Sequence, residues 1–314
     1  MNIILIGNEE IIASIYEMEN AKKYFGADIE PNTEKKRIAL ICKRNEMEFY
    51  LGIIDKSKLC KSNLKFYDTD HLSVIDIYFY LRLWQSIDNN SLLSTCTNSR
   101  YVFRDPVNRT IIRSSSLYHI NSLEIDVLKE HNVNSVIDLR SHGNSELEND
   151  LYKKGICYYH SPLTTKNGIL YTSQLDSYNG LLENYDAVYN IMKNIIECKD
   201  KLVIFCKYGK DRTGIISILL ELIANSEYNE IILNYISSQY LVNSLEVYTS
   251  TKNSVVNFDS YLKASTIIDL LNMFTVKYGS VYEYLSNLGF TDIEIKKLRG
   301  RVINNGTEKK SVDY

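Results

Sequence analysis

Several features are missing from this sequence of 314 residues, and each absence excludes a class of protein. No apolar run approaches the ~20 residues that a membrane-spanning helix needs, so we expect no membrane span. Lys and Arg together number 36 and Asp and Glu number 39, so the formal net charge is −3. Without a positive field over the whole surface we expect no nucleic-acid partner, and any positive potential must be local.

Patterns that would point to zinc binding or to secretion are missing too. The six cysteines form no CxxC pair, and no cluster of the five histidines accompanies them, which argues against a zinc site. The first residues, MNIILIG, lack the basic residues and the length of a signal-peptide core. Because free thiols are typical of a reducing interior, we expect a cytoplasmic protein without a metal.

Residues 201–213, with the sequence KLVIFCKYGKDRT, carry most of the functional information. The apolar residues 202–205 predict a buried strand of a central sheet, and the apolar run GIISILLELIA predicts a helix over residues 212–225. Five residues separate Cys206 from Arg212. A cysteine therefore opens the loop between the strand and the helix, and an arginine closes it.

A loop that leads from a strand into a helix is suited to binding an anion. Its backbone N–H groups point into one concavity, and the helix dipole adds partial positive charge. Gly209 permits the sharp backbone turn, and Arg212 can bind a dianion through two parallel N–H bonds. A cysteine at the floor of such a loop has its pKa lowered towards roughly 3.5–7.5. We therefore expect Cys206 to be a thiolate nucleophile at neutral pH.

The loop thus predicts a phosphate-binding cradle above a nucleophile. Lys207 and Lys210 add positive charge at its rim, and the Thr213 hydroxyl can donate a hydrogen bond to the sulfur when the sulfur leaves. Besides Arg212, the residues that we expect to bind phosphate are Lys207, Tyr208, Gly209, Lys210, Thr213 and Gly214.

These residues resemble a known family. Cys206, five further residues, Arg212 and Thr213 match the signature loop of the cysteine-dependent protein tyrosine and dual-specificity phosphatases. The string CKYGKDRTG is most similar to the atypical bacterial and fungal branch, whose loop reads HCxxGKDRTG. The resemblance covers residues 95–303 and implies an α/β fold with a central sheet flanked by helices. It also implies hydrolysis of phosphomonoesters through a cysteinyl-phosphate, with no metal or cofactor.

The general acid that protonates the leaving oxygen has more than one candidate. In the branch that the loop resembles, the aspartate inside the loop is implied for this role, which here is Asp211. Many relatives use an aspartate on a separate loop, and Asp176 and Asp186 are the alternatives of that kind. A third interpretation gives Asp211 no chemical role and makes it only a cap of the helix that follows.

One residue departs from the pattern of the family. The usual histidine before the cysteine is replaced by Phe205. Because that histidine supports hydrogen bonds in the loop and helps to keep the thiolate ionised, its loss is expected to raise the thiol pKa and to slow catalysis. We expect a weakened but active enzyme, and the alternative is a pseudophosphatase that binds phosphate without hydrolysing an ester.

Motifs upstream of the loop extend the resemblance. Asn98-x-Arg100 and the string IIRS at residues 111–114 are similar to the opening strands of the family. Asp138-Leu139-Arg140-Ser141 ends a predicted strand over residues 133–139 and resembles a DLRS-type motif close to the phosphate loop. We favour a structural pair of Asp138 and Arg140 that braces the loop over a direct role in catalysis.

The cysteines allow one further alternative. Cys157 or Cys198 could form a disulfide with Cys206 that protects the nucleophile. We favour free, buried thiols, because a thiolate enzyme needs a reducing environment.

The sequence divides into a module of unknown role at residues 1–94, a catalytic domain at 95–303 and a flexible tail at 304–314. The first segment predicts an α/β extension that could bind a protein partner. Its predicted elements are a strand at residues 3–6, a helix at 9–19, strands at 37–43 and 48–54, and a helix at 71–84. Within the catalytic domain, we expect residues 164–178 to be a loop over the active site. Residues 181–198 have the spacing of one helix.

The substrate is not decided by these motifs. The resemblance implies a phosphorylated protein, with phosphotyrosine or with dual specificity. Lysines at both ends of the loop, Lys207 and Lys210, also suit a highly charged phosphoinositide head group. A deep cleft lined by Tyr208, Tyr171 and Tyr178 would instead favour an aryl phosphate.

Overall fold

The computed structural model describes residues 37–44, 47–55, 92–93, 95–96, 98–103, 110–166, 173–249 and 262–303. Within these ranges, side chains are described except at 37–55 and 239–249. The predicted strand at 3–6, the predicted helices at 9–19 and 71–84, and the predicted tail at 304–314 lie outside the described residues.

Two antiparallel strands are described in the first part of the chain. They are β1 (Arg37–Arg44) and β2 (Met47–Asp55), and they pair from Arg37 opposite Asp55 to Arg44 opposite Met47. Both strands were expected from the sequence, and both predictions are confirmed. The polar residues Asn45 and Glu46 separate them, as the sequence pattern indicated.

By its internal contacts the chain divides into two compact units, residues 1–89 with 239–265, and residues 90–238 with 266–314. The division of the sequence at residue 94 stays a prediction. Leu93 and Cys96 are buried in the apolar core of the second unit, so residues just before 95 contribute to it.

The second unit is built on a five-stranded sheet with the order β3-β4-β7-β5-β6. Its strands are β3 (Arg100–Tyr101), β4 (Ile111–Ser114), β5 (Val133–Asp138), β6 (Cys157–His160) and β7 (Lys201–Phe205). The short edge strand β3 is antiparallel to β4, and the other neighbouring strands are parallel. The carboxyl ends of β4, β7, β5 and β6 therefore meet at one edge of the sheet.

Helices connect and flank these strands. They are α1 (Ser122–Glu130), α2 (Ser145–Lys153), α3 (Gln174–Leu182), α4 (Tyr185–Glu197), α5 (Asp211–Ile223), α6 (Tyr228–Thr249), α7 (Ala264–Tyr278), α8 (Val281–Asn287) and α9 (Asp292–Val302). Capping boxes begin α1, with Asn121 and Glu124, and α9, with Thr291 and Glu294. A central sheet flanked by helices confirms the predicted α/β fold class.

The prediction for residues 164–198 was wrong in part. Instead of one loop followed by one helix, α3 begins at Gln174 and ends at Leu182, and α4 follows it directly. The Ser173 hydroxyl accepts a hydrogen bond from the Asp176 N–H and begins α3, and the Asn184 side chain caps α4 in the same way. The apolar spacing runs across the junction without a break, so it did not reveal the second helix start.

The sheet face toward α1 and α2 packs into a single apolar core. Its members come from strands, helices and the segment before β3, and they include Leu93, Ile112, Leu128, Val203 and Phe205. Leu93 is only 1% exposed. Close packing in this core therefore fixes β7, the strand that leads into the signature loop.

We predict that Leu93→Ala lowers the free energy of unfolding of the full chain by about 2–5 kcal/mol, since it leaves a cavity in this core. Leu123→Ala is the matched control, because Leu123 is 74% exposed on α1 and its loss should change stability by no more than about 0.5 kcal/mol. Chemical denaturation measures both. Equal effects of the two substitutions would contradict the assignment of Leu93 to the core.

Candidate active site

The signature loop lies at the carboxyl edge of the sheet, between the buried strand β7 and α5. Cys206 directly follows β7 and is 3% exposed. The helix begins at Asp211, so Arg212 and Thr213 lie in its first turn. The predicted order of strand, cysteine, loop, arginine and helix is thus the order that the fold has.

Gly209 makes the turn of this loop possible. Its φ is +66°, a left-handed conformation that residues with a Cβ rarely adopt. A Cβ at this position would lie 2.4 Å from the Ser114 carbonyl oxygen at the end of β4. Both the backbone conformation and the close approach of the loop to β4 therefore require glycine here.

A buried arginine holds the turn from below. The Arg113 side chain is 1% exposed, and its Nη2 donates to the Gly209 carbonyl at 2.8 Å and to the Ser238 hydroxyl at 3.0 Å. Its Nη1 donates to the Asn234 amide oxygen at 3.3 Å. Burial lowers the pKa of Arg113, and the nearby Glu221 carboxyl opposes that change. Burial also raises the pKa of Glu221, to about 8.

Two more carbonyls of the loop are held from outside it. The Ser116 N–H donates to the Lys207 carbonyl at 3.1 Å, and the Asn98 amide donates to the Tyr208 carbonyl at 3.0 Å. Together with Gly209, three successive carbonyls are turned toward the surrounding protein. In a planar trans peptide the N–H of the following residue points the opposite way. The next three N–H groups therefore point away from these anchors, as an anion-binding loop requires.

Asp138 and Arg140 form a brace beside the loop. The Asp138 carboxylate is fully buried, and it accepts from Arg140 Nε at 2.9 Å, from Arg140 Nη2 at 2.7 Å and from the Tyr158 hydroxyl at 2.7 Å. Burial, followed by this hydrogen bond to Asp138, raises the pKa of Tyr158 to about 12. Arg140 Nη1 also donates to the Ser116 hydroxyl at 3.1 Å. The contacts are those of a structural pair.

Phe205 is the last residue of β7 and directly precedes Cys206. Its side chain is buried in the apolar core, and the Arg140 guanidinium carbon lies 5.0 Å from the centre of its ring. This is a cation–π distance. The brace therefore rests on an aromatic ring at the position where a histidine was expected from the family pattern.

The Asp211 side chain is held by a tyrosine. Its Oδ1 accepts from the Tyr178 hydroxyl at 2.6 Å, and its Oδ2 lies 4.0 Å from Lys210 Nζ. Asp211 is 40% exposed, so the carboxyl group also faces solvent. The alternatives, Asp176 and Asp186, are exposed residues in the first turns of α3 and α4. Asp176 Oδ2 is engaged by the Ser173 hydroxyl at 2.6 Å.

The arginine and the threonine of the signature differ in their contacts. Arg212 Nη1 donates to the Leu139 carbonyl at 3.2 Å, which ties the guanidinium to the loop after β5. Thr213 is fully buried, and within the described part of the chain its hydroxyl has no hydrogen-bond partner.

The tyrosines considered for a substrate cleft fall in different places. Tyr208 is 42% exposed, with Lys207 Nζ 4.9 Å from the centre of its ring. Tyr178 is 1% exposed and does not line an open cleft. Tyr171 lies outside the described residues.

A disulfide to Cys206 is excluded by the direction of the strands. Cys157 begins β6 and Cys198 precedes β7, so both lie at the amino edge of the parallel strands, whereas Cys206 follows β7 at the carboxyl edge. A strand of this length separates the two edges by roughly 15 Å, about twice the Cα separation that a disulfide allows. All three cysteines are free.

Within the described ranges, no group of three or more His, Cys, Asp or Glu side chains could hold a metal ion. None of the described helices has the length and hydropathy of a membrane span.

The sequence patterns did not reveal the roles of several residues that shape this site. Arg113, Asn98 and Ser116 hold the loop, and Tyr178 contacts Asp211. A charged residue inside the apolar strand sequence IIRS was the one signal for Arg113, since an unpaired arginine is not placed in a core. The others act across long sequence separations that no local pattern reports.

A loop with this cysteine and arginine, between a buried strand and a helix, is typical of the cysteine-type phosphatases. The family model described as "Tyrosine phosphatase family" matches residues 104–304. The chain belongs to this family and is a phosphoric monoester hydrolase, which confirms the resemblance at the level of the superfamily.

Among solved structures, the chain is similar to the core catalytic domain of the PP-IP phosphatase Siw14 from S. cerevisiae. The two are 17% identical, with a TM-score of 0.35, over 58% of this chain and 93% of that one. It is also similar to TpbA of P. aeruginosa, with 13% identity and a TM-score of 0.30 over 45% of this chain and 87% of TpbA. No curated protein matches the chain.

We predict that Gly209→Ala disrupts the loop, because the new methyl group would collide with the Ser114 carbonyl. Gly155→Ala is the matched control, since Gly155 has a φ of +69° with nothing within 4 Å of a Cβ. In the control, the free energy of unfolding should fall by only about 1–2 kcal/mol, the cost of a left-handed backbone conformation for a residue with a Cβ. Gly209→Ala should lose about 1–3 kcal/mol more, and kcat/KM should fall about 100-fold. Denaturation and phosphate-ester hydrolysis measure these effects, and equal losses in both variants would contradict the close approach.

Proposed function

We propose that the chain hydrolyses phosphomonoesters in two steps, through a cysteinyl-phosphate on Cys206. The observation that carries this proposal is the outward anchoring of three successive loop carbonyls, which leaves the following N–H groups for the oxygens of a phosphate above the sulfur. We also propose that the chain belongs to the branch of this family whose loop reads HCxxGKDRTG.

In the first step, the Cys206 thiolate attacks phosphorus in line and the bond from phosphorus to the leaving oxygen breaks. The loop N–H groups and Arg212 hold the equatorial oxygens, on which charge develops in the transition state. Asp211 gives its proton to the leaving oxygen. Its place in the first turn of α5, partly exposed beside the loop, supports this choice over Asp176 and Asp186.

In the second step, the Asp211 carboxylate takes a proton from water. The water oxygen attacks phosphorus, the bond from sulfur to phosphorus breaks, and the thiolate is restored with release of inorganic phosphate. The Thr213 hydroxyl donates a hydrogen bond to the leaving sulfur. Its burial without another partner in the described part of the chain supports this role.

We propose a phosphorylated protein as the substrate, with phosphotyrosine or dual specificity. The half-exposed Tyr208 ring at the mouth of the loop supports an aryl group, because it can pack against one. A phosphoinositide is the second candidate, and it is favoured by Lys207 and Lys210 on either side of Gly209. Lys207 contacts the Tyr208 ring, so cation and aromatic ring form one surface beside the phosphate.

Phe205 is proposed to weaken the enzyme without inactivating it. An apolar ring cannot supply the hydrogen bonds of the usual histidine. The Arg140 guanidinium lies over this ring, so Phe205 packs against the pair of Asp138 and Arg140 instead. We further propose a cytoplasmic location, since the thiolate must stay reduced, and a protein partner for residues 1–94.

The test is hydrolysis of 4-nitrophenyl phosphate under reducing conditions across pH 5–8. We expect Cys206→Ser to lower kcat by about 10³-fold or more, because it removes the nucleophile. Cys157→Ser is the matched control, since Cys157 is exposed at the opposite edge of the sheet, and it should keep full activity. Retained binding of vanadate without turnover in the wild type would contradict the proposal and favour the pseudophosphatase.

Trapping the intermediate tests the covalent step directly. Rapid acid quenching during turnover should give a phosphorylated peptide that contains Cys206, detected by mass spectrometry, and Asp211→Asn should increase its share because hydrolysis slows. Comparison of phosphotyrosine and phosphoserine peptides with phosphoinositide vesicles then separates the substrate classes. A kcat/KM that is highest for the vesicles would overturn the protein substrate.

A further inference from the structure

A buried tyrosine joins the proposed general acid to the core. Tyr178 in α3 is 1% exposed, and its hydroxyl donates to Asp211 Oδ1 at 2.6 Å. The same hydroxyl contacts the hydroxyl of the buried Tyr235 in α6. The two rings meet edge to face, with centroids 6.0 Å apart. Three helices thus bring these polar groups together at one end of the loop.

The direction of the hydrogen bonds follows from the number of protons. An ionised carboxylate only accepts, and a tyrosine hydroxyl has one proton to give. With Asp211 ionised, Tyr178 therefore donates to Oδ1, and Tyr235 must donate to the Tyr178 oxygen. Burial raises the pKa of Tyr178 well above its usual value of 10, so the hydroxyl keeps its proton throughout the working pH range.

The hydrogen bonds from Tyr235 to Tyr178 and from Tyr178 to Asp211 distinguish the two oxygens of the Asp211 carboxyl group. Oδ1 accepts from the Tyr178 hydroxyl, whereas Oδ2 makes only a long ion pair with Lys210 Nζ, at 4.0 Å. The Asp211 side chain is 40% exposed. Tyr178 does not engage Oδ2, so we assign to Oδ2 the proton that the carboxylate takes from water in the second step. The acid of the first step and the base of the second are the same group, so the same oxygen serves both.

Resting on the proposed function, we propose that Tyr178 is a positioning residue that fixes the Asp211 carboxyl and makes Oδ2 the oxygen that transfers the proton. Tyr235 supports it by donating to the Tyr178 oxygen. Without Tyr178 the carboxyl group can rotate and its proton spends less time aimed at the leaving oxygen.

A series of aryl phosphates tests this positioning. Good leaving groups, such as 2,4-dinitrophenol, depart without a proton, whereas poor ones, such as phenol, need the acid. We expect Tyr178→Phe to lower kcat/KM for phenyl phosphate about 10-fold and for 2,4-dinitrophenyl phosphate less than about 3-fold. The slope of log kcat/KM against leaving-group pKa thus becomes steeper. Tyr235→Phe should steepen it less, because the bond from Tyr178 to Asp211 remains.

A matched control separates positioning from stability. Tyr284 is fully buried, and its hydroxyl donates to the Leu182 carbonyl at 2.7 Å, so Tyr284→Phe also removes one buried hydroxyl. It should lower the free energy of unfolding and leave the slope unchanged. An equal loss for all leaving groups in Tyr178→Phe, as for a structural residue, would overturn the inference.

Asp211→Asn distinguishes the two levels of the proposal. A steep slope in this variant supports the acid assignment, and a wild-type slope in Tyr178→Phe then overturns only the positioning role. A wild-type slope in Asp211→Asn overturns Asp211 as the acid, and the inference about Tyr178 falls with it. Hydrolysis that still depends on Cys206 would in that case leave the nucleophile of the proposed function standing.

Discussion

The interaction on which the site depends is the hydrogen bond from the buried Arg113 to the Gly209 carbonyl. It turns that peptide outward, and the same direction is imposed on the two preceding peptides by Ser116 and Asn98. A guanidinium that is 1% exposed has lost most of its hydration, so it must be satisfied by fixed acceptors. The acceptors of its two Nη groups include the loop carbonyl of Gly209, so the loop is held by the same contacts that compensate the buried charge. In the proposed function, N–H groups held in this way need no reorganisation in the transition state.

The pair of Asp138 and Arg140 reaches the loop through Ser116, whose hydroxyl accepts from Arg140 and whose N–H donates to the Lys207 carbonyl. Asp138 is fully buried and is neutralised by Arg140, whose guanidinium lies over the ring of Phe205. Phe205 lacks the polar ring atoms of the histidine that it replaces. In exchange, its buried ring packs against the Arg140 guanidinium. Beside the loop lies the partly exposed carboxyl group of Asp211, which accepts a hydrogen bond from the buried Tyr178.

Much of the fold and of the loop could be predicted from the sequence. An apolar run ending at Cys206, then Gly209 and Arg212, specifies a strand, a turn and a helix start through local rules of periodicity and glycine conformation. Residues 173–184 were not predicted correctly, because the apolar spacing hides the caps at Ser173 and Asn184 that begin two separate helices.

The sequence by itself determined the family, the order of strand, loop and helix, and the identity of the residues that line the loop, because all of these are encoded within a few positions of each other. Only the tertiary structure decided which groups hold the loop and which oxygen of Asp211 accepts from Tyr178. Arg113, Ser238 and Tyr178 reach their partners across 96, 125 and 33 positions. Such contacts arise when the sheet and helices pack, and no local pattern records them.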